Sequence, residues 1–271
     1  LLALSERILR AYFDCAYNPA YDLTTARISR YRTLQLRCVQ KLRPGRGDRI
    51  LCVGMGTGNE VLHILKAQPD VEVVGIDQSR SALRKARKKA LESGKRMDVS
   101  TMDACHLAFA SGSFDSVLCI HVTDFVHDRR QLTSEALRVL KAGGRFVVTY
   151  PAGGEGAGLG LDLLRDSVGG LRHPIQWLLR LLTYVLAACV YLPLLFRPNK
   201  RPVSREELYA LIGGLAASDL EAEEDLVYRD FIVCGTRQDR RTEAEHEDTF
   251  RRQVLPDLEP GRAVAEILRV P

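Results

Sequence analysis

What this sequence lacks narrows it before any motif is read. It has no C-x-x-C pair, and its seven cysteines are an odd, scattered set. That disfavours a disulfide framework or a zinc site and favours free thiols in a reducing compartment, so a cytoplasmic location is expected. No secretory signal is visible, and the chain opens on Leu1 instead of Met, which raises the expectation that a leader or upstream segment has been removed. No internal repeat is present. The uncharged run from Leu181 to Phe196 falls short of the ~20 residues a membrane-spanning helix needs, and Pro193 interrupts it. Acidic residues are absent from 171–205, where only basic charges stand. The net charge of +5 is too small by itself to argue for nucleic acid, and no nucleic-acid partner is expected.

The charge that is present is unevenly placed. Residues 1–50 are rich in arginine, including Arg27, Arg30, Arg37 and Arg49, against Glu6, Asp14, Asp22 and Asp48. The stretch after Arg205 is acidic. One electropositive side facing an anionic surface is the implication. At 271 residues the chain has room for one generous domain with elaborations.

Along the chain, apolar runs alternate with segments of helical period. "RILCVG", "VEVVGID", "MDVSTMD", "FDSVLCIHV" and "GGRFVVTYP" read as strands, with "NEVLHILKAQ", "RSALRKARKKALESG" and "RRQLTSEALRVL" as helices between them. "DLEAEEDLVYRDFIVCGTR" reads as two strands turning near Tyr228 and Arg229, preceded by a helix capped by Ser204. The predicted fold is therefore α/β, doubly wound, a mostly parallel seven-stranded sheet with a C-terminal antiparallel hairpin and a helical insertion after the fifth strand. The divisions expected are an N-terminal helical cap at 1–44, a cofactor-binding core at 45–151, a hydrophobic insertion or lid at 152–203, the final helix and hairpin at 204–237, and a tail at 238–271. Within the cap, Thr24 or Thr25 would start a helix to Leu42, with Ile28, Tyr31, Gln35, Cys38, Val39 and Leu42 on its buried face.

"RILCVGMGTGNEVL" carries the first chemical signal. Gly54, Gly56 and Gly58 form G-x-G-x-G between a strand and a helix, a turn that brings backbone N–H groups to a small anionic ligand. The dinucleotide fingerprint G-x-G-x-x-G would need glycine where Asn59 stands. Asp77 closes the second strand about twenty residues on, placed to accept both ribose hydroxyls of a nucleoside. A nucleoside-type cofactor follows; NAD is disfavoured by these two features but stays open at this point.

The next motifs add a resemblance. "DACHLAFASGSFDSVLC" and "EALRVLKAGGRFVV" are similar to the class I S-adenosylmethionine-dependent methyltransferases, in the flavour of the ubiquinone/menaquinone C-methyltransferase-like group. The matching residues are Asp103, Ala104, Leu107, Phe109, Ser113, Phe114, Asp115 and Val117, then Glu135, Arg138, Val139, Leu140, Lys141, Gly143 and Gly144. "YDLTTARISRYR" resembles the segment before the first strand in that group. The resemblance covers about residues 45–151. It implies a Rossmann-like methyltransferase fold with S-adenosyl-L-methionine as cofactor. It further implies that Gly54, Gly56 and Gly58 approach the methionine part, Asp77 binds the ribose with Gln78 beside it, and Asp103 and Ala104 meet the adenine. Asp115, Glu135 and Arg138 would be structural. Cys52 departs from the family, which usually has an acid there to help hold the charged methionine end. Either water and backbone suffice, or another acid such as Glu60 partly substitutes. Ala108 and Ala142, each in place of proline, are milder departures.

The acceptor is expected at the carboxyl ends of the fourth and fifth strands. There "IHVTDFVHDRR" offers His121, Asp124 and His127, with Tyr150 closing the fifth strand. His121, Asp124 and Tyr150 are the catalytic candidates, and His121 is also a cofactor-side candidate. His121, Asp124, His127 and Asp128 match no standard ligand spacing, so no metal is expected. Tyr12, Tyr17 and Tyr21 would roof the acceptor pocket or simply pack. The apolar insertion, flanked by Arg172, Arg180, Arg197, Lys200 and Arg201, suits a hydrophobic acceptor and peripheral membrane contact through 171–201. The expected function is methyl transfer to a lipid-like, quinone or isoprenoid small molecule at a membrane surface. The alternatives are a methyltransferase of a soluble natural product and a non-catalytic cofactor-binding module. The oligomeric state is not legible.

Overall fold

The computed structural model describes residues 11–18, 21–22, 29–95, 97–152, 201–225 and 230–238, with Leu178, Leu179, Leu182 and Val185 of an intervening helix. The chain divides into two units, residues 1–237 and 238–271, and every described helix and strand belongs to the first. A π-helical turn at Phe13–Tyr17 precedes α1 (Ser29–Leu42). The alternation that follows is β1 (Arg49–Val53), α2 (Asn59–Ala67), β2 (Glu72–Asp77), α3 (Arg80–Glu92), β3 (Asp98–Thr101), β4 (Phe114–Cys119), α4 (Arg129–Val139) and β5 (Leu140–Pro151). The unit closes with α5 (Arg205–Ile212), β6 (Ala217–Asp225) and β7 (Asp230–Arg237).

The seven strands form one sheet in the order β3-β2-β1-β4-β5-β7-β6. β1 to β5 run parallel, and β7 enters antiparallel between β5 and β6. The short apolar runs of β1 and β4 explain their central places, because a parallel strand is covered on both faces. Alternate residues serve two cores. Ile50, Cys52 and Leu118 pack with Leu34 and Cys38 of α1, Val61 and Ile64 of α2, and Leu83 and Ala86 of α3. Leu51, Val117, Phe146 and Val148 pack with Leu132 and Ala136 of α4 and Leu208 and Ile212 of α5. Since β1 pairs with β2 on one side and β4 on the other, the strand order reverses there. A crevice opens outside the carboxyl ends of such strands.

Boundaries differ from the sequence reading in two places, each with a local cause. β4 stops at Cys119 instead of running to Val122, because His121 takes a left-handed φ of 58°. β5 starts at Leu140 and not Gly143; Leu140 pairs with Phe114 and Arg145 with Ser116, so the residues between bulge out, with Gly143 at φ 74°. The predicted start of α1 near Thr24, the turn at Tyr228 and Arg229, most of the insertion and most of the tail lie outside the described residues.

The E-x-x-R pair inside "EALRVLKAGG" is a staple. Arg138 donates to both carboxylate oxygens of Glu135 (2.6 and 2.9 Å) and to the carbonyls of Leu107 and Phe109 (both 2.8 Å). Glu135 in turn accepts the Leu107 N–H at 2.8 Å. The Arg138 hydrogen bond holds the Glu135 carboxyl below its usual range. Helix α4 thereby fixes the loop leading into β4. Arg138→Ala should cost about 2 kcal/mol of stability in urea denaturation, since charge-assisted bonds and two loop carbonyls lose their donor. Arg138→Lys should recover only part, because an ammonium cannot fork across several acceptors.

Candidate active site

The glycine turn leaves β1 at its carboxyl end. Gly54 has φ 62°, and a Cβ there would lie 2.2 Å from Val122 Cγ2, so both backbone and space demand glycine. Gly56 has φ 53° and faces open space, with nothing within 4 Å of a Cβ position. Gly58, left-handed, is the N-cap of α2 and makes no side-chain cap bond, whereas α3, α4 and α5 are capped by Ser79, Asp128 and Ser204. No side chain of the preceding turn caps α2, and the Glu60 N–H is met by its own carboxylate, while the positive end of the helix dipole faces the crevice.

Asp77, the last residue of β2, reaches across to this turn. Its Oδ2 accepts the Gly56 N–H at 2.9 Å and its Oδ1 the Ser79 N–H at 2.8 Å. Burial raises its carboxyl pKa, while these backbone donors oppose the rise. The Gln78 N–H is a third backbone donor, and since a carboxylate offers about four acceptor positions, about one remains. Gln78 beside it is exposed. Asp103, in the loop after β3, accepts the Cys105 N–H at 2.9 Å and lies 3.2 Å from His106 Nδ1, and Ala104 is buried next to it.

The N-terminal segment is tied down on both sides of Asp77. Asp14 accepts from the hydroxyls of Ser79 (2.6 Å) and Ser81 (2.5 Å). Asp22 accepts from Thr57 of the glycine turn and from Lys89 of α3, each at 2.6 Å. Aromatic rings continue from there: Tyr17 to Tyr21 at 5.3 Å, Tyr21 to Tyr31 at 6.0 Å, and Tyr31 to His121 at 5.2 Å. The Tyr21 hydroxyl donates to that of Tyr31 at 2.5 Å.

His121 sits at the mouth of β4. Its N–H donates to Thr149 Oγ1 at 2.9 Å, which fixes the unusual backbone. Its ring stands between two carboxylates, Nδ1 3.5 Å from Asp124 and Nε2 3.4 Å from Asp230. The structure thus brings His121 and Asp124 together. Tyr31 and Asp230 had no place in the sequence-derived site; Asp230 arrives because β7 sets it opposite Pro151 of β5.

Residues 51–148 match a family described as the methyltransferase domain. The ubiquinone/menaquinone biosynthesis C-methyltransferase of Geobacter sulfurreducens is 35% identical over 153 residues, which cover 53% of this chain and 57% of that protein. The phosphatidylethanolamine N-methyltransferase of Cereibacter sphaeroides is 36% identical over 105 residues, covering 38% of this chain and 50% of that protein. The chain therefore spans about half the length of the curated relatives it matches. The crystal structure of the CurJ carbon methyltransferase shares the fold, with a TM-score of 0.59 at 16% identity over 85% of this chain and 61% of that one.

Residues 51–148 carry a methyltransferase domain, and the chain around them is similar to ubiquinone/menaquinone C-methyltransferases.

Of the other candidate residues, one lies in the core and one is exposed. Tyr150 is 1% exposed in the core beneath α4, where its hydroxyl shares a 2.7 Å hydrogen bond with Thr133 Oγ1, and burial pushes its pKa up to about 12. It does not join His121 and Asp124. His127 is exposed. Among the described residues no group of three or more His, Cys, Asp or Glu is placed to hold a metal ion. Tyr150→Phe should lower stability by about 1 kcal/mol, the net worth of one buried hydrogen bond, and leave methyl transfer unchanged. A loss of turnover of about tenfold or more at unchanged stability would put Tyr150 back among the reacting groups.

Proposed function

We propose that this methyltransferase moves the methyl group of S-adenosylmethionine to a hydrophobic, quinone-related small molecule that it meets at a membrane surface. The observation that carries the reading is the crevice at the reversal of strand order, where Gly56 faces open space, α2 begins uncapped and Asp77 keeps acceptor capacity. These features fit the cofactor: its carboxylate against the start of α2, its ribose on Asp77 beside Gln78, its adenine against Asp103 and Ala104. When bound, the cofactor supplies an electrophilic methyl on a sulfonium that departs as a neutral thioether. The protein's part is to align the acceptor in line and exclude water.

An acceptor that must shed a proton also needs a base within hydrogen-bond reach. His121 takes that role. The carboxylates of Asp124 and Asp230 orient its ring and offset the positive charge it gains. Relatives that act in quinone biosynthesis and on phosphatidylethanolamine, by their names, support an apolar acceptor. So does the insertion. Leu178, Leu179, Leu182 and Val185 follow the spacing of one helix face and are each at least half exposed. Basic residues flank them, and among the described residues no helix is long and apolar enough to cross a membrane. An apolar segment lying in the interface between basic flanks is the arrangement that fits.

Two measurements test this. In calorimetry with S-adenosylhomocysteine, Asp77→Ala should weaken binding about tenfold to a hundredfold, the loss of charge-assisted hydrogen bonds of about 1.5–3 kcal/mol each. Unchanged affinity in the folded variant would remove Asp77 from the site. In flotation with anionic liposomes, the wild type should bind in a salt-sensitive way, and a variant with 171–201 replaced by a polar linker should not. Equal flotation of the two, or none by either, would end the membrane reading, and full activity of the trimmed variant on a long-chain hydroquinone would end the lid reading.

A further inference from the structure

We infer, on the reading that S-adenosylmethionine lies against the glycine turn, that Glu60 is the carboxylate that receives the cationic amino group at the cofactor's methionine end, in place of the acid that Cys52 does not supply. Cys52 is 1% exposed and points into the core beneath α2, and burial pushes its thiol well above the usual range. It carries no charge near neutrality. Glu60 is the second residue of α2, one step beyond the uncapped start of that helix, and is 8% exposed.

A carboxylate in such a place has given up water, which costs several kcal/mol unless a partner repays it. Within the fold the Glu60 carboxylate accepts from its own backbone N–H and, at a long 3.3 Å, from the neutral amide of Gln35, and neither donor carries charge. Lys89 is the nearby cation, but its ammonium donates to Asp22 (2.6 Å), Asn59 (2.8 Å) and Thr57 (3.1 Å), which accounts for its three protons. Burial raises the Glu60 carboxyl to about 7, its own backbone N–H, Lys89 and His121 opposing the rise and Asp77 adding to it. The charge of Glu60 is in turn felt by Cys52 on β1 and by Tyr21 of the N-terminal segment. These neighbours put it where β1, the glycine turn, α3 and the N-terminal segment meet. A glutamine would keep the contact with Gln35 without the cost of a buried charge. An ammonium arriving from the crevice gives the carboxylate its use. The zwitterionic end of the cofactor would then be held at both charges, its carboxylate by the start of α2 and its amino group by Glu60.

The test compares S-adenosylhomocysteine with 5′-methylthioadenosine, which lacks the amino-acid end, by calorimetry on the wild type, Glu60→Gln and Glu60→Gln/Cys52→Asp. At pH 8, Glu60→Gln should weaken S-adenosylhomocysteine about tenfold or more and leave methylthioadenosine within about twofold. Between pH 8 and pH 6 the wild type should lose about tenfold in affinity for S-adenosylhomocysteine, because binding needs the anion and Glu60 takes up its proton over that range. Glu60→Gln should abolish that dependence, and adding Cys52→Asp should recover affinity without restoring it. Equal weakening of both ligands would mark Glu60 as structural and overturn the proposal. So would unchanged affinity in Glu60→Gln, or a pH dependence that survives it and so belongs to another group such as His121. A wild type that binds neither ligand would instead overturn the cofactor site itself.

Discussion

The hydrogen bond from the Gly56 N–H to Asp77 Oδ2 is the contact on which the crevice depends. It joins the first βα turn to the end of the neighbouring strand, so the two walls cannot drift apart. The parallel ladder prepares it: Val53 pairs with Ile76, and the Met55 N–H continues the pattern by donating to the Ile76 carbonyl at 3.0 Å. Met55 can fold back because Gly75 leaves room, since a Cβ there would sit 1.8 Å from the Met55 sulfur. Asp77 therefore does two things with one carboxylate. Most of its acceptor capacity shapes the turn, taken up by the Gly56, Gln78 and Ser79 N–H groups, and the remainder is available to a ligand.

The electrostatics of the crevice run against those of the chain. The protein is basic overall, yet Asp77, Asp124, Asp230 and Glu60 converge around the ends of β1, β2 and β4, with Lys89 and His121 among them. In a partly desolvated cleft such charges act strongly, because little water screens them. A cleft of this sign favours a cationic ligand and disfavours an anionic one. The sulfonium carries a positive charge that its thioether product lacks, so the same field favours the methyl donor over the spent cofactor.

Local signals made much of this legible. The glycine turn, Asp77 and Asp103 lie within short windows with fixed chemistry, and the apolar runs of β1, β2 and β4 bound their strands. The E-x-x-R staple was also readable, because Glu135 and Arg138 are one helical turn apart. What stayed hidden was pairing at a distance. Asp230 meets His121 only through the β5–β7 register, which no window contains. Helical period put Gln35 on the buried face of α1, where it lies 2% exposed, but could not name Glu60 as its partner. Tyr150 misled for the opposite reason. Its position at the end of a strand is right for a site, while the alternation of the strand turns its side chain under α4.

The N-terminal segment draws these features together. Its acids bind residues adjacent to those that shape the crevice: Asp14 holds Ser79, two residues after Asp77, and Asp22 holds Thr57, between Gly56 and Gly58. Hydrogen bonds from both serine hydroxyls keep the Asp14 carboxyl below its usual range despite burial, so this tie stays ionic at neutral pH. Asn18 reinforces it by donating to both serines, at 2.8 and 3.0 Å. The wall of the crevice beside the glycine turn is therefore built in part from this segment. The tyrosines carried by this segment reach His121 through Tyr31, so one run of packed rings links the segment to the mouth of β4.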